Sequence, residues 1–418
     1  MKKLVTVMTM FTLLTSSLVF AGGSKDEKKD QGPVTLSFYT NLTDVLADQL
    51  QKMCNEWAAE TGNKVEFSAP GSSYEELMKT KMAANELPDL FTTHGWSVKR
   101  YSEYLLPIND QPWAPKINPQ IKPVITDKNG KMYVLPMDVN IAGIVYNVDV
   151  LKKAGVDVDS IKTWDDFDKA CAKIKVSGVT PLHMGGKDSW TIGQFFDWAA
   201  PSYFVTNEKT NERTDLKNGK FNEDLWKDLA QLLADFVAKG YFNQDCLTAD
   251  YLSDAKAIAA GESAFGFYGN YFYSAALQYN KDANLGLMPV PCRTADDQPT
   301  LISGEWTAVG VWKDSPHRDA AVSFLNFLAR PENIQRIAST SGSPAGLTGV
   351  VSDMGKLKPY YDKYATVKTF PYFDREYLPS GMWDVMCATG ADILAEKPNA
   401  VGNAAKVMKQ NFDDKYMK

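Results

Sequence analysis

The sequence predicts an α/β protein organised as more than one packed unit. Short apolar runs with a two-residue alternation take turns with stretches whose apolar residues recur every three to four positions, the pattern of strands interleaved with helices. At 418 residues the chain also exceeds the roughly 250 to 300 at which one core stops growing. The expected arrangement is a mostly parallel sheet covered by helices on both faces, with loops gathered at the strand carboxyl ends.

Residues 34–39 alternate Val, Leu and Phe with small polar residues and read as the first strand. Val45, Leu46, Leu50, Met53, Cys54 and Trp57 then recur at helical spacing, with Gly62 as the stop. Residues 65–67 form a second strand, and Ser73 with Glu76 has the spacing of a capping box that opens a helix through Leu77, Met78 and Met82. Leu90-Phe91 is a third strand, followed by residues 132–136 and by an apolar strand over 141–146. Thr163 and Asp166 form a second capping box, ahead of an inner face of Trp164, Phe167, Ala170, Cys171 and Ile174. Leu225, Leu229, Leu232, Leu233, Phe236 and Val237 line a longer helix that Gly240 terminates. Residues 307–311 are a strand, and Ser315-Pro316 opens the helix carrying Val322, Phe324, Leu325 and Leu328. No repeat of 20 to 50 residues is present, which excludes a solenoid.

Charge and composition narrow the function. Hydrophobic residues make up 44% and charged residues 23%, which excludes a disordered chain or a membrane channel. With 45 Lys+Arg against 51 Asp+Glu and no basic stripe, nucleic acid is not expected as a partner. Lys2 and Lys3, the apolar stretch over 4–20 and the small residue Ala21 form an export signal, so residues 1–21 are expected to be removed and 22–33 to serve as a linker. Gly22 and Gly23 stand where a lipoprotein would carry cysteine, so a periplasmic protein without a lipid anchor is expected. The five cysteines, Cys54, Cys171, Cys246, Cys292 and Cys387, are far apart and form no dense framework, although one disulfide remains open.

Three segments carry a family resemblance. Residues 130–136 (GKMYVLP), 146–155 (YNVDVLKKAG) and 163–167 (TWDDF) resemble, in order and spacing, the central block of extracellular solute-binding proteins of ABC sugar importers, the class that includes maltose-binding protein. Pro88-Asp89-Leu90-Phe91, residues 265–271, and Gly304-Glu305-Trp306 resemble further segments of that family. The resemblance covers nearly all of residues 34–418 and weakens over 203–222 and after Gly349. It implies a two-lobed periplasmic-binding-protein fold with hinge-connected lobes and a ligand cleft between them. On that pattern residues 34–139 with 300–345 form an N-terminal lobe, and 140–299 with 346–418 a C-terminal lobe. The implied partners are a sugar and the transmembrane subunits of an ABC permease, the chain itself acting as a monomer.

A sugar offers apolar C–H faces and a rim of hydroxyls, so its site wants flat aromatic rings and short polar side chains. Asn41, Thr43 and Asp44 follow the first strand where the family places polar contacts, though capping of the next helix accounts for them equally. His94 and Trp96 follow the third strand. Asp138 and Asn140 come at the expected crossover; a carboxylate entering an apolar run has to be paired or ligand-facing, which singles out Asp138. Trp190 and Gln194, Asn270 and Tyr271, Glu305 and Trp306, and the late Trp383 match positions at which the resemblance implies aromatic and polar ligand contacts, core packing being the alternative for each Trp. No catalytic residue, cofactor or metal is expected, since His94, His183 and His317 are scattered and HExxH is absent. A secreted glycoside hydrolase, with two carboxyls across one bond, is the alternative from another class, and a binding protein for a polyamine or glycerol phosphate is a third reading.

Overall fold

A computed structural model describes residues 32–93 and 98–416. The expected export signal lies outside the described residues, as do His94, Trp96 and all but the last two residues of the expected linker. No helix among the described residues is long and apolar enough to cross a membrane.

The strands fall into three sheets. The first has the order β2-β1-β3-β11-β4, from β1 (Thr35–Tyr39), β2 (Lys64–Ser68), β3 (Leu90–Thr92), β4 (Val134–Pro136) and a late strand, β11 (Ala308–Val311). β1 runs parallel to β2 and β3, whereas β11 is antiparallel to both β3 and β4. Another sheet has the order β7-β8-β6-β9, from β6 (Ile144–Asn147), β7 (Thr180–Leu182), β8 (Ser263–Gly266) and β9 (Leu285–Met288). There β7 and β8 are parallel while β6 is antiparallel to both neighbours. The third sheet, β12-β10-β5, joins β5 (Val139–Ala142), β10 (Leu301–Glu305) and β12 (Thr369–Pro371). The sheets are therefore mixed rather than mostly parallel. The reason is topological: β11 enters the first sheet after β10 has left the third, and it comes in against the direction of β3 and β4.

Two hydrophobic cores form around the larger sheets. One collects Leu36, Phe38, Trp57, Phe91, Leu135 and Val139 with Val309, Phe324 and Ile337. The other collects Val145, Phe167, Phe196, Trp226, Phe265 and Leu287 with Phe373, Met386 and Phe412. The chain passes from the first core to the second near residue 140, returns at 303–308 and crosses again between Leu347 and Leu357.

Local chemistry accounts for most elements. The capping box at Thr163 and Asp166 is present in both directions, and the helix Trp164–Val176 buries the five residues of its expected inner face. Gly62 closes the helix Asp44–Thr61 at φ 76°, in the left-handed region that favours glycine. Two expectations differ from what is observed. Ser73 makes no side-chain cap, because a short 3-10 turn, Gly71–Ser73, feeds directly into the helix Tyr74–Ala84. The expected strand over 141–146 is two strands in two sheets, broken at Gly143, where a Cβ would come within 2.2 Å of the Met288 carbonyl oxygen. That close approach lets β5 stay with the crossing sheet while β6 turns into the second core.

Candidate functional site

The crossing segments bring together residues from distant parts of the chain. β5 carries Asn140 against Gly304 of β10, and the loop leaving β8 returns to β5, where Asn270 donates its N–H to the Ile141 carbonyl at 3.1 Å. Gly269 permits this return, since a Cβ there would lie 2.6 Å from Asn140 Oδ1 and 3.0 Å from the Tyr271 ring. Trp306 sits between β10 and β11 and connects the two cores.

Tyr271 and Trp306 meet face to face, with ring centroids 4.6 Å apart and planes 2° from parallel. Tyr271 packs with the second core and Trp306 with the first, so the stack spans them. The Tyr271 hydroxyl donates to Gln194 Oε1 at 2.7 Å, and the Gln194 amide donates to the Phe267 carbonyl, which holds the tyrosine ring in place. A row of half-buried rings continues from Tyr271 to Tyr251 at 6.4 Å and from Tyr251 to Trp190 at 5.1 Å. Trp383 is half-buried on the helix Met382–Leu394 and packs beside Gly193, one residue from Gln194.

The expected polar residues take different positions. Asp138 is fully buried; its Oδ1 accepts the Thr307 N–H at 2.8 Å and its Oδ2 the Ser341 hydroxyl at 2.8 Å. Burial, opposed by those two bonds, pushes its carboxyl up to about 6. Both oxygens are thus committed to the crossing segments, and the side chain ties β5 to the chain around Thr307 and Ser341. Asn140 donates to the Tyr372 hydroxyl, and Asn270 donates to the Ser343 hydroxyl while its Oδ1 accepts the Ile141 N–H at 3.3 Å. Glu305 pairs with Arg375 at 3.2 Å, and the guanidinium also lies over the Tyr372 ring at 4.1 Å. Asn41 accepts the Thr92 hydroxyl at 2.8 Å, at the end of β3. Asp44 opens its helix, and its side chain is outside the described set.

Several residues at the crossing were not anticipated. Arg100 of the first core donates to Asp374 Oδ2 at 3.2 Å, and its guanidinium also reaches the carbonyls of Asp374, Leu378 and Pro379. Asp197 accepts the Asp374 N–H at 2.6 Å; burial, reinforced by the Asp374 charge, pushes Asp197 up to about 7. On the helix Tyr251–Ala260, Asp254 is buried and accepts from Gly185 N–H at 2.9 Å and from the Tyr268 hydroxyl, with His183 Nδ1 at 2.6 Å. The signal used for Asp138 applies to Asp197 as well. It stands alone among Phe195, Phe196, Trp198, Ala199 and Ala200 on a helix, Trp190–Phe204, that is buried almost all round.

Two α/β bodies linked by crossing strands, with stacked aromatics and buried polar groups where they meet, define the architecture of a two-domain solute-binding protein. Residues 43–335 match the family described as bacterial extracellular solute-binding protein, and the chain belongs to that family. It is 33% identical over 395 residues to the melibiose/raffinose/stachyose-binding protein MelE of Bacillus subtilis strain 168, covering 93% of this chain and 92% of that protein. A sugar transporter from Bacillus licheniformis solved in complex with stachyose is 34% identical, with a TM-score of 0.83 over 91% of this chain and 99% of its own. A binding protein, MsmE of Bacillus subtilis, solved in an open conformation, is 31% identical with a TM-score of 0.83 over 92% and 98% of the two chains.

Proposed function

We propose that this chain captures an oligosaccharide for an ABC importer and releases it to a membrane permease. The observation that carries the reading is full-length similarity, 34% identical at a TM-score of 0.83, to a sugar transporter holding stachyose. The site chemistry supports it: the row Trp190, Tyr251, Tyr271 and Trp306 offers ring faces to sugar C–H groups, and Asn140 Oδ1, buried beside the Tyr271 ring with no hydrogen-bond partner among the described residues, can accept a hydroxyl. The two bodies that close over the ligand are those built around the two cores, and the strands near residues 140 and 303–308 act as the hinge. The protein is exported, with cleavage after Ala21, works in the periplasm as a monomer, and returns its ligand unchanged.

Relatives at 23% identity include glycerol-3-phosphate-binding proteins. The crossing disfavours a phosphate, because Arg100 and Arg375 both face carboxylates, those of Asp374 and Glu305. Thermal-shift measurements on residues 22–418 with melibiose, raffinose and stachyose, and with glycerol 3-phosphate and a polyamine as controls, test the proposal. A rise in Tm with one of the sugars, recovered intact, is the expected result. Recovery of a shorter sugar would make the cleft catalytic, and a response to the charged controls alone would discard the sugar.

A further inference from the structure

The ionic cluster at the crossing is larger than hinge architecture requires. Asp197, Glu305 and Asp374 meet Arg100 and Arg375 there; the carboxylate residues are 2%, 4% and 2% exposed, and the arginine side chains 16% and 11%. Replacing such buried pairs by apolar side chains is often neutral or stabilising, so their contribution to stability does not explain them.

Within this cluster Asp374 is the acid that meets Arg100. Glu305 receives Arg375 at both its carbonyl, 3.3 Å, and its carboxylate, 3.2 Å. Asp197 is occupied by the Asp374 N–H at 2.6 Å. Asp374 presents Oδ2 to Arg100, but its Oδ1 is buried with no hydrogen-bond partner among the described residues. A buried charged acceptor without a donor is costly, and such groups persist where function supplies the donor. The charge of this carboxylate is also shared between the bodies, because Asp374 belongs to the segment that carries Phe373 of the second core, whereas Arg100 precedes Tyr101 of the first.

We propose that Asp374 is a ligand-binding residue that accepts a hydrogen bond from a sugar hydroxyl through Oδ1, and that Arg100 of the opposite body is the residue that positions it. The inference rests on the sugar-binding reading and adds a specific contact to it. When the bodies separate, Arg100 leaves and the carboxylate is free to take a hydroxyl. When they close, the guanidinium orients the carboxylate and caps the Leu378 and Pro379 carbonyls. The pair thereby links recognition of the hydroxyl to closure.

The test uses isothermal titration of the mature chain with raffinose and stachyose, together with the Tm of each ligand-free variant and small-angle scattering with and without sugar. Asp374→Asn is expected to weaken binding about 10- to 100-fold, the range for loss of a hydrogen bond to a charged group, while the folded chain persists. Arg100→Gln is expected to weaken binding and to reduce the sugar-induced contraction seen by scattering. Should Asp374→Asn fail to fold, Asp374→Glu keeps the ion pair but displaces the oxygen, and the same loss of affinity is expected. Unchanged affinity in a folded Asp374 variant, with wild type binding normally, overturns this contact alone. Wild type binding neither sugar overturns the reading beneath it as well.

Discussion

Replacing Asp138 by Asn isolates the energetic effect of burying a carboxyl at the crossing. Asp138 has no exposed surface, and burial raises its pKa from 3.8 to about 6 against the pull of Thr307 N–H and the Ser341 hydroxyl. A folded pKa above the unfolded one means that the native state holds the proton more tightly. This stabilising contribution is therefore fully present below about pH 4 and is lost as pH rises through about 6. At about 1.4 kcal/mol for each tenfold change in acid equilibrium, the full swing is about 3 kcal/mol. About half of it falls between about pH 5 and about pH 7.5. Asn is similar in size, keeps an acceptor for Thr307 N–H and does not ionise. Its amide can donate to Ser341, whose hydroxyl still has the Ala338 carbonyl as an acceptor at 3.1 Å. Asp138→Asn should therefore gain about 1–2 kcal/mol on wild type between about pH 5 and about pH 7.5. Urea denaturation of both ligand-free proteins at about pH 5, 6 and 7.5 reads this directly. A difference that stays constant, or that grows in wild type's favour as pH rises, would refute the reasoning.

Asp197 predicts the same sign in a higher window: burial and Asp374 push it up to about 7, so Asp197→Asn should flatten the fall in Tm that wild type shows as pH rises through neutrality. Trp306→Ala removes the parallel stack on Tyr271, and titration with the bound sugar should show affinity lowered by about tenfold or more, while Trp306→Phe retains most of it. Tyr271→Phe leaves the Gln194 carbonyl, in a residue 7% exposed, without its hydroxyl donor, and denaturation should show a loss of about 1–2 kcal/mol. All five cysteines are free, and burial holds the Cys54 and Cys387 thiols up at about 12 and Cys292 at about 11. A thiol reagent at neutral pH should therefore label native protein rapidly at no more than Cys246, which is half-buried, and label all five in denaturant.

The sequence by itself determined the elements whose causes are local. Thr163 with Asp166, the apolar face of the helix Trp164–Val176 and Gly62 at φ 76° are decided by neighbours within one or two turns, where capping and periodicity operate. The family block over residues 130–167 likewise showed its kinship through order and spacing alone. Tyr271, Trp306 and Trp190 could be named as aromatics near loop ends, but the row they form with Tyr251 could not, since its members come from separate segments spread between residues 190 and 306. Only the tertiary structure decided that Asp138 is committed to Thr307 and Ser341, that residues 141–146 divide between two sheets at Gly143, and that Arg100 meets Asp374 across 274 positions. The physical reason is that a carboxylate's partner, and hence its protonation and role, depends on which donors the fold brings within about 3 Å, and long-range chain crossing leaves no periodic trace in the sequence.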